Sequence, residues 1–224
     1  MLTKKIAAER AAEYVQDGMV VGLGTGSTAY WAILKIAERV RQGLNIKAIA
    51  TSSASEKLAL ESGIPLVGFD GLERIDLSID GADEIDGNLN LIKGGGGALL
   101  REKIIASASS RFIVIADERK MVATLGKFPL PVEVVPFGWE ITLRKLEKLG
   151  CKPARRSPNG QPWITDNGNY IVDCTFGSIL LPEKLEKAIN FIPGVVDNGL
   201  FVQMAERAIV GYNDGTVREF VAKK

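Results

Sequence analysis

Amphipathic and continuously apolar segments alternate through the first half of the chain. Apolar residues at helical spacing predict helices, and short runs that are apolar throughout predict buried strands. The predicted helices cover 4–16, 28–41, 55–62 and 98–108, and the predicted strands cover 19–22, 46–50, 65–67, 77–80 and 112–115. This order predicts an α/β fold, a mostly parallel sheet with helices on both faces. In such sheets ligands bind beyond the carboxyl ends of the strands.

The pattern changes at the segment 126–131, whose two prolines, Pro129 and Pro131, disfavour a helix or a central strand and indicate a linker. Beyond it, strands are predicted over 132–135, 151–156, 170–174 and 195–201, and helices over 139–149 and 183–190. The order βαββαβ is typical of a ferredoxin-like, antiparallel α+β arrangement. The tail from 204 contains a strand candidate over 208–210 and a turn over 213–215, and we expect it to return to the first domain.

Composition excludes several classes of protein. The 224 residues are 46% hydrophobic, enough for a substantial core, and 28 basic against 27 acidic residues give no electrostatic footprint of a nucleic-acid binder. Without histidine there is no Ser-His-Asp triad, no Cys-His pair and no HExxH zinc site. Cys151 and Cys174 are too few for a disulfide framework and are expected to be reduced and packed. No run approaches the roughly 18 apolar residues of a membrane span, and the N-terminus has no leader pattern, so a cytoplasmic protein without a membrane partner is expected.

The glycine-rich turn Gly22–Thr28 lies between a predicted strand and a predicted helix. Its glycines let backbone N–H groups face an anion at the helix N-terminus, and Thr25, Ser27 and Thr28 add hydroxyl donors. The turn lacks the lysine of a Walker loop, and Ser27 stands where a dinucleotide fingerprint has its third glycine. A small phosphate ester therefore fits better than a nucleotide; the alternative is that the glycines only permit a tight turn.

Acidic residues gather at the end of the predicted strand over 77–80, in the sequence Asp80-Gly81-Ala82-Asp83-Glu84. Their oxygens are suitable ligands for a divalent metal ion. The alternative is that Asp80 and Asp83 bind sugar hydroxyls or relay protons.

A third motif places Lys93 directly before four glycines, Gly94–Gly97, at the start of a predicted helix. Successive glycine N–H groups can stabilise developing negative charge, and Lys93 adds a full cation. Glu102 is close enough along the helix to reach this pocket; alternatively, it is an exposed helical acid paired with a neighbouring cation. A phosphate cradle, a cation and carboxylates at one sheet edge suit proton abstraction beside the carbonyl of a sugar phosphate.

The segments GLGTGSTA, DGADEID, LIKGGGGALLREKIIA, IADERK, LGKFPLPVEVVPF and AINFIPGVVDNGLF resemble ribose-5-phosphate isomerases of type A, in register over essentially the whole chain. The resemblance implies interconversion of D-ribose 5-phosphate and D-ribulose 5-phosphate in the pentose phosphate pathway, with no metal or other cofactor, by a homodimer or homotetramer. It also implies a Rossmann-like catalytic domain, over 1–127 and 205–224, and a smaller ferredoxin-like domain over 128–204.

The resemblance implies a role for individual residues as well. Glu102 is the expected catalytic base, acting with Asp80, Asp83 and Lys93, and a phosphate-contacting lysine of the first helix would be Lys4. Gly97 departs from the family pattern, in which alanine is common. The expected substrate-binding residues are Thr25, Gly26, Ser27, Thr28, Asp80, Gly81, Ala82, Asp83, Lys93, Gly94, Gly95, Gly96 and Lys120.

Other functions are compatible with a related fold. A CoA transferase would use a glutamate as nucleophile and would form a thioester that can be trapped. An amino-sugar-phosphate deaminase is disfavoured by the lack of histidine. A sugar-phosphate sensor would need an appended DNA-binding module, for which charge and length leave no room.

Overall fold

The computed structural model describes residues 1–222; the last two residues of the predicted catalytic domain, 223–224, lie outside the described residues. The helices are α1 (Leu2–Ala12), α2 (Ala29–Arg41), α3 (Ser53–Glu61), α4 (Leu99–Ser107), α5 (Trp139–Glu147) and α6 (Pro182–Asn190). The strands are β1 (Val20–Leu23), β2 (Lys47–Ala50), β3 (Leu77–Gly81), β4 (Glu84–Ile85), β5 (Leu91–Ile92), β6 (Phe112–Asp117), β7 (Leu130–Val134), β8 (Lys152–Arg155), β9 (Tyr170–Thr175), β10 (Val195–Asn198), β11 (Leu200–Phe201), β12 (Arg207–Gly211) and β13 (Val217–Val221). Short 3₁₀ turns cover Glu118–Lys120 and Pro158–Gly160.

The main sheet has six strands in the order β13-β12-β6-β3-β1-β2. Its strands run parallel except β13, which pairs antiparallel with β12. Alternate residues of β6 serve different cores: Ile113 and Ile115 pack with α1 and α2, whereas Phe112 and Val114 pack with Ala106 of α4. The period-two alternation of strand side chains therefore buries both faces of the sheet. The predicted α/β fold with helices on both faces is confirmed.

A second, antiparallel sheet has the order β10-β7-β9-β8, with α5 and α6 in the βαββαβ order that the sequence predicts. Its core includes Leu130, Val132, Val172 and Leu146. The tail rejoins the main sheet, because β12 pairs in parallel with β6. The domain boundaries at 127/128 and 204/205 stay a prediction.

The expected linker over 126–131 is wrong at its end, because β7 begins at Leu130 and Pro131 lies in a central strand. The Pro131 carbonyl accepts a hydrogen bond from the Gly199 N–H at 2.8 Å, and Gly199 follows the last residue of β10. Pro131 thus lies where the ladder with β10 has ended, so its missing N–H costs no ladder bond.

The single strand predicted over 195–201 is also wrong. It is divided at Gly199 into β10, which pairs with β7, and β11, which pairs with β5. A Cβ atom on Gly199 would lie 2.2 Å from the Lys93 carbonyl oxygen, so only glycine permits this approach. The three-stranded sheet β11-β5-β4 and strand β13 were not predicted, and the strand expected over 65–67 is reduced to one bridge between Ala48 and Leu66. None of the helices within residues 1–222 has the length and hydropathy needed to cross a bilayer.

Candidate active site

Three loops meet around a cavity of about 280 Å³ at the carboxyl edge of the main sheet. They follow β1, follow β3 and precede α4, as the sheet rule predicts. The structure brings together nearly all the residues that the sequence singles out. The cavity is lined by Lys4, Thr25, Gly26, Ser27, Thr28, Gly81, Ala82, Asp83, Lys93, Gly94, Gly95, Gly96, Glu102 and Lys120. Asp80 is the exception, since its carboxylate lies behind the lining, against Lys93.

The turn after β1 passes very close to the end of β3. A Cβ atom on Gly24 would lie 2.2 Å from Asp80 Oδ1, and the Thr25 N–H donates to the same oxygen at 2.9 Å. The Thr25 hydroxyl faces the end of β2, within 2.7 Å of Thr51 Oγ1 and 2.8 Å of Ser52 Oγ. The Thr25 side chain is therefore engaged within the protein, and its backbone is the part that holds Asp80.

A buried group of three ionisable side chains forms the floor of the site. Lys93 Nζ lies 3.0 Å from Asp80 Oδ2 and 3.3 Å from Glu102 Oε2, and it donates a hydrogen bond to the Gly81 carbonyl. The side chains of Asp80, Lys93 and Glu102 are each 5% exposed or less. One ammonium group is thus shared by two carboxyl groups that are almost wholly removed from solvent.

Burial changes the acidity of these groups. It raises the pKa of Glu102 to about 8, against the opposing effect of Lys93, and it raises the pKa of Asp80 for the same reason. Burial alone would lower the pKa of Lys93, but the Asp80 and Glu102 carboxylates outweigh it and the pKa is raised. Lys93 therefore remains a cation, while Glu102 can exchange a proton near neutral pH.

The loop Gly94–Gly97 forms one wall of the cavity. Gly94 and Gly97 adopt positive φ values of 98° and 82°, where glycine has no steric penalty. The Gly95 N–H donates to Asp83 Oδ2 at 2.7 Å, and the Lys93 N–H donates to the Gly199 carbonyl at 2.9 Å. The backbone of this loop therefore fixes the Asp83 carboxylate. The Gly199 carbonyl, at the interruption between β10 and β11, holds the backbone of Lys93.

Cations and hydroxyls lie elsewhere in the cavity lining. Lys4, in the first turn of α1, donates to Ser27 Oγ at 2.8 Å. Lys120 ends the 3₁₀ turn after β6 and lies 5.9 Å from the centre of the Phe128 ring. This group of donors suits the phosphate end of a small ester.

Sequence reasoning missed the hydroxyl cluster of Thr51, Ser52 and Ser55 behind the first turn. The Ser55 hydroxyl donates to the Gly24 carbonyl at 2.6 Å, and Ser52 caps α3 by accepting from the Ser55 N–H. The available signal was the polar run that directly follows the apolar strand β2. Within residues 1–222 no group of three or more histidine, cysteine or acidic side chains is arranged to hold a metal ion.

Comparison with known proteins agrees with this geometry. The family model for ribose 5-phosphate isomerase A (phosphoriboisomerase A) matches residues 47–215. The ribose-5-phosphate isomerase A of Bacillus mycoides is 49% identical and aligns over 98% of this chain and 100% of its own length. That of Parvibaculum lavamentivorans is 54% identical over 95% of each chain. A solved D-ribose-5-phosphate isomerase in complex with phospho-erythronic acid is 43% identical, with a TM-score of 0.94 over 97% of each chain. The chain belongs to the ribose 5-phosphate isomerase A family.

Proposed function

We propose that this protein interconverts D-ribose 5-phosphate and D-ribulose 5-phosphate, with Glu102 as the base that moves the proton. The observation that carries the proposal is the placement of the buried Glu102 carboxylate and Lys93 in one 280 Å³ cavity with Lys4 and Lys120. The solved relative binds phospho-erythronic acid, whose planar carboxylate resembles the planar enediolate of such a reaction. Its phosphate would take the place of the substrate's phosphate.

The reaction begins with the open-chain aldose. The Glu102 carboxylate takes the proton from C2, the C–H electrons form a C1=C2 double bond, and the carbonyl oxygen O1 becomes negative. Glu102 then returns the proton to C1, and the O2 hydroxyl proton passes to O1, which leaves a carbonyl at C2. No atom is gained or lost, so the step requires no external oxidant or reductant.

The neighbouring groups support each stage. Lys93 places a full positive charge beside the anionic intermediate, and the glycine loop adds N–H donors. Asp83, which lines the cavity, would open the sugar ring, bind hydroxyls and relay the proton between O2 and O1, and Asp80 would act on these steps through its contact with Lys93. The backbone of the turn Thr25–Thr28 and the side chains of Lys4, Ser27, Thr28 and Lys120 would hold the phosphate, with Gly81, Ala82 and Gly94–Gly96 lining the carbon chain.

The same proposal includes a cytoplasmic homodimer or homotetramer that uses no metal or other cofactor. Lys93 supplies the cation that a metal ion would otherwise supply. Exposed aromatic residues of the second sheet's layer, Phe137 at 94% and Phe191 at 85% exposure, support subunit contacts there. Light scattering of the purified protein measures the assembly, and a monomeric mass would contradict it.

Proton NMR of ribose 5-phosphate with the enzyme in D₂O tests the function. The wild type should exchange the C2 proton for deuterium and accumulate ribulose 5-phosphate, whereas a binding protein would do neither. Glu102→Gln, which keeps the shape but not the base, should lower kcat by about 10²–10⁴. An inactive wild type would overturn the isomerase, and an unchanged kcat in Glu102→Gln would place the base elsewhere.

A further inference from the structure

The connection between β8 and β9, residues 156–169, reaches from the second sheet to the glycine loop, Gly94–Gly97. Arg156 directly follows β8, and its Nη1 donates to both the Gly94 and the Gly95 carbonyl oxygens, each at 3.1 Å. Arg156 does not line the cavity, so it approaches the glycine loop from outside. A residue more than 60 positions away in sequence thus binds two consecutive peptide groups of the site.

Arg156 is itself held in place. Its Nε donates to Asp173 Oδ2 at 2.9 Å and its Nη2 to Asp173 Oδ1 at 2.5 Å, a bidentate pair with β9. The Arg156 side chain is 15% exposed. Bidentate arginine–carboxylate pairs fix the plane of the guanidinium group, so the remaining donor has a defined direction.

The position of the Arg156 donor determines where the N–H groups on the opposite side of the loop point. In a planar trans peptide, the carbonyl oxygen and the following N–H point in opposite directions. Arg156 binds the Gly94 and Gly95 carbonyls, so the Gly95 and Gly96 N–H groups point away from it. The Gly95 N–H reaches Asp83, and the Gly96 N–H has no protein acceptor within residues 1–222. Because Gly96 lines the cavity, this donor is available to the substrate.

Other residues of the β8–β9 connection also hold it against the glycine loop and the main sheet's layer. The Trp163 N–H donates to the Arg156 carbonyl at 2.9 Å, and a Cβ atom on Gly97 would lie 2.4 Å from Trp163 Nε1. The tip of the connection is tied to the main sheet's layer, since the Ser53 N–H donates to Asp166 Oδ2 at 2.8 Å. Gly97, which has no Cβ atom, makes room for the indole.

We propose that Arg156, oriented by Asp173, is a positioning residue for the isomerisation: it holds the Gly94–Gly96 peptides so that the Gly95 N–H keeps Asp83 in place and the Gly96 N–H meets the enediolate oxygen. The inference rests on the proposed function. It also gives the second sheet a part in catalysis. Because the phosphate is held by other loops, Arg156 should affect the transition state and leave ground-state binding nearly unchanged.

The test compares Arg156→Met with Arg155→Met under saturating and limiting ribose 5-phosphate. Arg155 is the matched control, because it is the neighbouring cation but stacks on Trp139, 4.4 Å from the ring centre, and on Tyr170. Arg156→Met should lower kcat about 10- to 100-fold, somewhat less than direct removal of an oxyanion donor, with KM within about threefold. The inhibition constant of phospho-erythronic acid should rise by the same factor as kcat/KM falls. Arg155→Met should change none of these.

Arg156→Lys provides a second variant that keeps the charge. One ammonium group cannot bind Asp173 bidentately and reach two carbonyls, so an intermediate kcat is expected. Wild-type kcat in Arg156→Met or Arg156→Lys, or an equal loss in Arg155→Met, would overturn the inference while the wild-type activity leaves the proposed function standing. A wild type without isomerase activity would overturn both.

Discussion

Titration of Glu102 gives the most direct test of how the site works. Burial raises the pKa of this carboxyl group to about 8, and the base in the aldose-to-ketose direction is the ionised form. At pH 7, about one pH unit below that pKa, roughly a tenth of the enzyme molecules have the carboxylate. The value of kcat/KM should therefore rise about tenfold from pH 7 to a plateau above about pH 9. Lys93 keeps its proton over this range, because the two carboxylates raise its pKa.

The assay is the initial rate of ribulose 5-phosphate formation at low substrate concentration, from pH 7 to pH 10 at constant ionic strength. A sugar phosphate loses its second phosphate proton near pH 6, so the substrate's charge is constant over this range. Since kcat/KM reports the ionisation of the free enzyme, the midpoint belongs to the unliganded site. Glu102→Gln serves as the control, and its residual rate should show no midpoint near pH 8.

Removal of Lys93 tests the direction in which this lysine shifts the pKa of Glu102. Lys93 lowers the pKa of Glu102, in opposition to burial, so Lys93→Met should move the midpoint of the remaining activity to higher pH. A wild-type profile that is level between pH 7 and pH 9 would refute the reasoning, because Glu102 would then be fully ionised at neutral pH despite its burial.

Three further predictions follow from individual contacts. In Gly199→Ala, the new Cβ must displace the Lys93 carbonyl, 2.2 Å away. We therefore expect the free energy of unfolding in urea to fall by about 1–3 kcal/mol and kcat to fall as well. Gly87→Ala is the control, because Gly87 has open space around it, and it should change neither quantity. Lys4→Met removes a cation that donates to Ser27. The KM for ribose 5-phosphate should rise about 10- to 100-fold, which corresponds to the loss of one charged hydrogen bond. An equal effect on ribose without phosphate would argue against a phosphate contact. Activity should survive exhaustive dialysis against EDTA, because Lys93 provides the positive charge; a loss that magnesium restores would contradict the metal-free proposal.

The loops of the site that directly follow predicted strands were predictable from the sequence. The strand predicted over 77–80 ends at Asp80, and the strand predicted over 19–22 ends at a glycine-rich turn, so both loops had to meet at one edge of a parallel sheet. Hydrophobic periodicity was sufficient here because the strands are buried on both faces. The resemblance then added the role of Glu102, which spacing alone left open between a base and an exposed helical acid.

Contacts between distant segments were not predictable from local pattern. Nothing near Arg156 in sequence indicates that it binds the Gly94 and Gly95 carbonyls, and nothing near Gly199 indicates that Lys93 lies against it. Pro131 was misleading, because a proline argues against a central strand unless the ladder ends beside it. These features depend on how two sheets pack, which periodicity within one element does not encode.

The two buried carboxylates around Lys93 have different surroundings, and this difference separates their roles. Asp80 Oδ1 accepts hydrogen bonds from the Thr25 and Gly81 N–H groups, at 2.9 and 2.7 Å, in addition to the contact of its other oxygen with Lys93. Glu102 Oε2 is buried, forms no such hydrogen bond within residues 1–222 and has only the 3.3 Å contact with Lys93. Hydrogen bonds from backbone N–H groups favour the charged form of a carboxylate and oppose the rise in the pKa of Asp80 that burial causes, so Asp80 is fixed in place as the partner of the lysine. Glu102 lacks that stabilisation and lines the cavity, and its charge is therefore the one that proton transfer from the substrate can remove.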